Sequence, residues 1–142
     1  MGEPVQVGPL IYTVLDSEWF DQLGDPPNLR APQKRFLAIQ LSVTNSGAGP
    51  CGMPALSLFD VHGTASEELS NGEGLTDWLG AFRDIKPAQT VRGRVLFDVA
   101  AGGYRLRVAN EAEPGSEHMA MVDIPLRFGP ATPPPGLPPA QP

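Results

Sequence analysis

Residues 34–45 read Lys-Arg-Phe-Leu-Ala-Ile-Gln-Leu-Ser-Val-Thr-Asn. In an extended chain, side chains alternate between two faces. Here one face is apolar and the other polar, with Leu37, Ile39, Leu41 and Val43 on the first and Gln40, Ser42 and Thr44 on the second. A strand in a half-buried antiparallel sheet has this pattern, so residues 35–45 are predicted to form one.

The same period of two recurs at residues 90–99, 104–108 and 120–128, and further strands are predicted at residues 10–15 and 56–61 and a short one near residues 66–69. The link Ala100-Ala101-Gly102-Gly103 suits a tight turn, which predicts that the strands on either side of it are neighbours. Pro125 predicts an edge position for the last strand, since proline cannot donate a ladder hydrogen bond. Helical periodicity is almost absent. The fold class is therefore all-β, an antiparallel two-sheet sandwich of about seven strands.

Two aromatic segments, residues 16–32 and 71–87, do not fit the strand pattern and are predicted to be long loops, each with room for a short helix or helical turn. Aromatic side chains in such loops either plug the ends of a sandwich or stand exposed as anchors for a partner. Plugging is favoured, and the candidates for partner binding are Trp19, Phe20, Trp78 and Phe82.

The 142 residues suffice for one domain but not for two. Residues 1–129 are predicted to form the sandwich. Residues 130–142 read Pro-Ala-Thr-Pro-Pro-Pro-Gly-Leu-Pro-Pro-Ala-Gln-Pro, a composition that favours extended polyproline conformation and predicts a disordered tail.

Charge and targeting signals narrow the function classes. The formal net charge of −6 would repel a phosphate backbone, so nucleic acid is not a predicted partner. The sequence contains no apolar run long enough for a transmembrane segment. Met1-Gly2-Glu3-Pro4 has neither the basic start nor the apolar run of a signal peptide, which leaves a cytoplasmic chain or a trimmed mature fragment as the expectation.

Three segments in order, residues 34–45, 58–63 and 85–108, resemble a bacterial family of domains of unknown function. They contain Leu-Phe-Asp-Val-His-Gly at 58–63, Ile-Lys-Pro at 85–87, Gly-Arg-Val-Leu-Phe-Asp-Val at 93–99 and Tyr-Arg-Leu-Arg-Val at 104–108. The resemblance covers roughly residues 5–128. It implies an immunoglobulin-like sandwich similar to that of a small mycobacterial secreted antigen, an extracytoplasmic or cell-envelope location, and no assigned activity. It also implies no DNA binding, although such proteins are often labelled telomeric repeat-binding factors.

Enzyme chemistry is not predicted. The thiol Cys51 and the imidazoles His62 and His118 are few and lack the flanking pattern of a thiol hydrolase. Phosphate-loop, nucleophile-elbow and dinucleotide motifs are absent from the sequence, and no cofactor is predicted.

The alternative function is soft-metal binding. His118, Met119 and Met121 offer imidazole and thioether ligands that suit copper, and Cys51, Met53 and His62 could join them from loops. A methionine beside a strand more often packs in the core than binds a metal, so metal binding is the second of the two functional hypotheses.

The first functional prediction is a noncatalytic binding or structural module that contacts a protein or the cell envelope through its loops or a sheet edge. Tyr104 is expected to be either a tyrosine corner or an ordinary core residue.

Overall fold

A computed structural model describes residues 2–24, 26–27, 29–80, 83–109 and 119–125 of the chain. The strands are β1 (Pro4–Val7), β2 (Leu10–Phe20), β3 (Phe36–Asn45), β4 (Cys51–Gly52), β5 (Ser57–Phe59), β6 (Ala65–Glu67), β7 (Asp84–Ile85), β8 (Thr90–Asp98), β9 (Tyr104–Ala109) and β10 (Met119–Ile124).

Two antiparallel four-stranded sheets make up the sandwich. The first has the order β1-β2-β3-β8 and the second the order β10-β9-β5-β6, while β4 and β7 form a small separate pair. The predicted all-β, immunoglobulin-like two-sheet sandwich is confirmed. Eight strands rather than about seven build the two main sheets.

The core lies between the two sheets and is built from the alternating apolar residues that the sequence displays. On β3, Leu37, Ile39, Leu41 and Val43 are all fully buried in it. Across the core, Leu58 and Leu106 point inward from the second sheet. The strand predicted at residues 35–45 is confirmed, because this alternation buries one face at every second residue.

The prediction of a loop from residue 16 onward is wrong. Strand β2 continues to Phe20 and pairs with β3 over its whole length. A β-bulge between Val14 and Asp16 places one extra residue, Leu15, in the strand. The bulge moves the inward positions from even to odd numbers, so that Val14 and then Trp19 face the core.

The prediction that the strands flanking residues 100–103 are neighbours is also wrong. Strand β8 pairs with β3 in the first sheet, whereas β9 pairs with β5 and β10 in the second. The short link therefore carries the chain from one sheet to the other. A glycine-rich link of four residues is compatible with either geometry, and contacts distant in sequence decide between them.

Loops cover one face and one edge of the first sheet. Within residues 71–80 and 83–87 the structure contains no helix, so this segment is a folded loop apart from β7. Backbone hydrogen bonds join Leu79 and Asp77 of the loop to Arg94, and Leu69 to Leu96, so that the loop shields the edge of β8. A second apolar cluster forms beneath it on the outer face of the sheet, from Leu23, Phe36, Ala38, Leu75 and Leu96.

Strand β10 lies at an edge of the second sheet, as Pro125 predicts. It ends at Ile124, immediately before that proline. The predicted tail at residues 130–142 lies outside the described residues. Across the described ranges, the chain forms no helix of the length and apolarity that crossing a bilayer requires.

Candidate functional site

A cleft of about 550 Å³ opens at one end of the second sheet. Its lining comes from three places, the turn after β5, the start of β9 and the end of β10. These segments contribute Phe59, Asp60, Val61, Gly103, Tyr104, Arg105, Asp123, Ile124 and Pro125. The lining is mostly apolar with a few charged groups, which is the usual composition of a binding site.

The turn after β5 forms one wall of the cleft, and Asp60 holds its shape. One oxygen of the Asp60 carboxylate accepts hydrogen bonds from the backbone N–H groups of His62 (2.8 Å) and Thr64 (2.9 Å). The bond from Thr64 is the main reason that the pKa of Asp60 lies below its usual value. Gly63 closes the turn with φ of 82°, a left-handed conformation that glycine adopts without strain. The turn presents Val61 to solvent with 81% of its surface exposed.

Tyr104 fixes the opposite side of the cleft. Its hydroxyl donates a hydrogen bond of 2.5 Å to the carbonyl of Ala100, four residues earlier in the chain. This is the tyrosine-corner alternative of the two that the sequence leaves open. The ring packs at 6.4 Å from the indole of Trp19, and partial burial raises the pKa of the hydroxyl.

Two opposite charges lie side by side at the cleft. Arg105 of β9 is directly opposite Asp123 of β10 in the strand register, so both side chains point to the outer face of the sheet. Within the part of the chain that the structure describes, neither one forms an ion pair or hydrogen bond. Both are therefore available to a partner. The sequence alone does not reveal this pair, because the strand register that brings the two residues together is not encoded locally.

A second polar cluster, buried between loops, has a structural role. Arg83 and Glu68 form a bidentate ion pair at 2.7 and 3.0 Å, with side chains only 5% and 4% exposed. Arg83 also donates to the carbonyls of Pro54 and Met53, and Glu68 accepts from the N–H of Leu56. Since each of these groups has a partner, the cluster ties three loop segments together.

Tyr12 lies in the main core, within electrostatic range of this cluster. Burial raises the pKa of its hydroxyl well above the usual value, and the nearby Arg83 guanidinium offsets part of that rise. The hydroxyl donates to the carbonyl of Ala109 at 2.5 Å. It therefore joins β2 of the first sheet to β9 of the second.

The aromatic candidates pack against apolar clusters. Trp19 is 7% exposed and belongs to the main core. Phe20 and Trp78 are half-buried and pack on the second cluster. Phe82 lies outside the described residues. The large apolar side chains that are exposed among the described residues are instead Leu15, Leu29, Val61 and Met121, of which Val61 is the most exposed.

The copper candidates are only partly described. His118 lies outside the described residues, and only the backbone of Met119 is described. Met121 is on β10 with 42% of its surface exposed. Met53 is 3% exposed in the core, where it is inaccessible to an ion at the surface. Among the described residues, no group of three or more His, Cys, Asp or Glu side chains could hold a metal ion.

Fold and cleft together define a β-sandwich domain with an apolar, partly charged cleft at one end. The chain belongs to the family described as "Domain of unknown function (DUF4352)", whose family model matches residues 1–118. The resemblance seen in the sequence is thereby confirmed. No curated protein matches the chain.

Solved bacterial structures share the fold. The yjhA protein of Bacillus subtilis is similar with a TM-score of 0.67 and 14% identity, over 87% of this chain and 97% of that one. A functionally unknown protein of Listeria monocytogenes EGD-e has a TM-score of 0.62 and 10% identity, over 88% and 82% of the two chains. The B. subtilis protein ycdA, described as a "putative lipoprotein", has a TM-score of 0.62 and 16% identity, over 84% of this chain and 38% of that one.

Proposed function

We propose that the protein is a noncatalytic binding domain of the bacterial cell envelope that recognises a protein partner through the cleft of the second sheet. The observation that carries the proposal is the pair Arg105 and Asp123, which have no ion-pair partner among the described residues and lie beside apolar lining. Protein-binding surfaces combine apolar contact, which supplies affinity, with charges that select the partner and its orientation.

The exposure of Val61 supports the same surface. An apolar side chain held in solvent by an ordered turn loses little conformational freedom on binding. The Asp60 carboxylate orders this turn through two backbone hydrogen bonds. Val61 is therefore well placed to act as an apolar anchor beside the cleft.

A noncatalytic role is supported by two of the ionisable groups in the cleft, Asp60 and Tyr104. The Asp60 carboxylate caps a turn and the Tyr104 hydroxyl is bonded to a backbone carbonyl. A general base or nucleophile needs a proton-transfer partner within hydrogen-bond reach. These two groups are instead occupied in holding the walls of the cleft.

An envelope location is supported by the likeness to ycdA, described as a "putative lipoprotein", and by the location that the family resemblance implies. β-Sandwich domains outside the cytoplasm commonly act by binding, since loops and sheet faces are easily varied on a rigid scaffold.

Site-specific photo-crosslinking tests the proposal. The full chain would carry a photoreactive residue in place of Val61, in cells that produce it. The matched control carries the residue at Leu15, which is also exposed and apolar but lies on β2 of the other sheet. We expect a discrete crosslinked protein from position 61 that is absent from position 15 and is lost when Arg105→Asp is added. Identical products from both positions would refute the cleft as a binding surface.

A further inference from the structure

The outer face of the second sheet carries two parallel rows of side chains. Residues directly opposite in a sheet point to the same side, and so do residues two positions apart on one strand. The strand register therefore gives one row of Phe59, Arg105 and Asp123, and a second row of Ser57, Arg107 and Met121. The first row forms part of the cleft lining.

The first row has a charge pattern that complements itself. Arg105 and Asp123 occupy neighbouring strands, and neither has an ion-pair partner within the described ranges. Two copies can pack these outer faces together about a two-fold axis that runs parallel to the strands, midway between β9 and β10. Rotation about this axis places Arg105 of each copy over Asp123 of the other. Two charge pairs form for one symmetry operation, which is the property of an isologous interface.

The second row suits the same arrangement. About this axis, Met121 faces Arg107 of the second copy. Met121 is 42% exposed, so its side chain is accessible on the outer face of the sheet. The Arg107 guanidinium lies over the Phe59 ring at 5.4 Å and donates to Ser57 at 3.3 Å, so it is already oriented across the sheet. Its aliphatic stem offers an apolar surface for the thioether.

We infer that the partner of this face is a second copy of the chain, related by a two-fold axis that pairs Arg105 with Asp123 across the contact. This inference rests on the proposed function, because it assigns a partner to the same surface. A contact centred on two strands from each copy is small, so the dimer belongs to the weak, transient class of interfaces.

A charge-swap cycle tests the inference on the full chain. Sedimentation velocity would measure the dissociation constant of the wild-type protein, Arg105→Asp, Asp123→Arg and the double swap at physiological ionic strength. Each single swap opposes like charges at both symmetry-related pairs, so we expect the dissociation constant to rise about tenfold or more. The double swap restores both attractions, and we expect a constant within about threefold of wild type.

Controls separate the contact from general charge and from folding. Arg92→Asp changes the net charge as much as Arg105→Asp does but lies on β8 of the other sheet, and we expect it to leave dimerisation unchanged. Circular dichroism melts of every variant would show whether the fold is intact. If Arg105→Asp fails to fold, the comparison of Asp123→Arg with wild type decides the question.

The outcomes distinguish this inference from the proposed function. A wild-type protein that remains monomeric at about millimolar concentration, where weak contacts form, overturns the second copy as partner. So does a double swap that folds but dimerises no better than the single swaps. If position 61 still crosslinks a different protein, the proposed binding function stands without self-association. If the chain is monomeric and crosslinks nothing specific, both fail.

Discussion

The buried pair Arg83–Glu68 provides the sharpest test of how the loops are held together. We consider Arg83→Met, Glu68→Gln and the double variant. Arg83→Met leaves the Glu68 carboxylate buried, with its side chain 4% exposed, and without its cation. Breaking one side of a buried pair costs about 3–5 kcal/mol of unfolding free energy. Glu68→Gln leaves the Arg83 guanidinium without its counter-charge, but the amide oxygen of the new glutamine can still accept from the N–H of Leu56. We therefore expect this variant to lose about 3 kcal/mol of unfolding free energy.

The double variant should lose less than the two single variants together, because it buries no uncompensated charge. Its main cost is the loss of the Arg83 hydrogen bonds to the carbonyls of Pro54 and Met53, about 1–3 kcal/mol. The double-mutant cycle should therefore give a coupling energy of about 3 kcal/mol or more.

Urea unfolding followed by tryptophan fluorescence and circular dichroism measures these free energies. Asp21→Asn is the control, since the pair Arg35–Asp21 spans 2.9 Å but Asp21 is 82% exposed, and an exposed pair contributes less than about 1 kcal/mol. Additive effects, or single variants as mild as Asp21→Asn, would refute the reasoning that this pair is buried and coupled.

Three further predictions follow from other parts of the molecule. Gly93→Ala would place a Cβ 2.5 Å from the carbonyl oxygen of Asp77, so we expect the free energy of unfolding in urea to fall by about 2 kcal/mol or more. Gly103→Ala is the control, because its added Cβ meets open space and should change the free energy of unfolding by less than about 0.5 kcal/mol. Folding raises the pKa of the Tyr12 hydroxyl, so the stabilisation that comes from keeping this hydroxyl protonated is fully present below the unfolded pKa of about 10. Above that pH the free energy of unfolding should fall by up to about 1.4 kcal/mol per pH unit. Tyr12→Phe should remove this part of the alkaline slope, and an unchanged slope would contradict the prediction. If the methionines near β10 only pack, the full chain and His118→Ala should retain equally little copper after desalting, whereas stoichiometric retention lost in His118→Ala would support the metal-binding alternative.

Sequence patterns predicted most of the strands but only part of their connections. Strands β3, β8 and β9 follow directly from apolar residues at every second position, since burial of one face requires that spacing. Strand β2 was missed beyond Leu15 because the bulge interrupts the period, so that Ser17 and Trp19 continue it out of phase. The predicted pairing of β8 with β9 is wrong, because a short link does not determine which sheet the next strand joins.

Only the local parts of the cleft could be predicted from the sequence. The turn at Asp60 and Gly63 can be predicted from the local sequence, because the Asp60 carboxylate accepts a backbone hydrogen bond within the turn and Gly63 adopts its positive φ. The juxtaposition of Arg105 with Asp123 depends on pairing between segments distant in sequence, which no local pattern specifies. The aromatic candidates are large apolar residues, yet Trp19 is buried in the main core and Trp78 is half-buried on the second cluster, whereas the smaller Val61 is 81% exposed.

The loop laid along β8 has a consequence for how the protein avoids misassembly. Its hydrogen bonds with Arg94, together with the bond from the preceding Leu69 to Leu96, occupy backbone groups that would otherwise template strands from other molecules. Fibril-like stacking through this side of the sandwich must wait until the loop detaches. Substitutions that loosen the loop, such as Gly93→Ala, are therefore expected to shorten the lag before aggregation even in samples that remain folded.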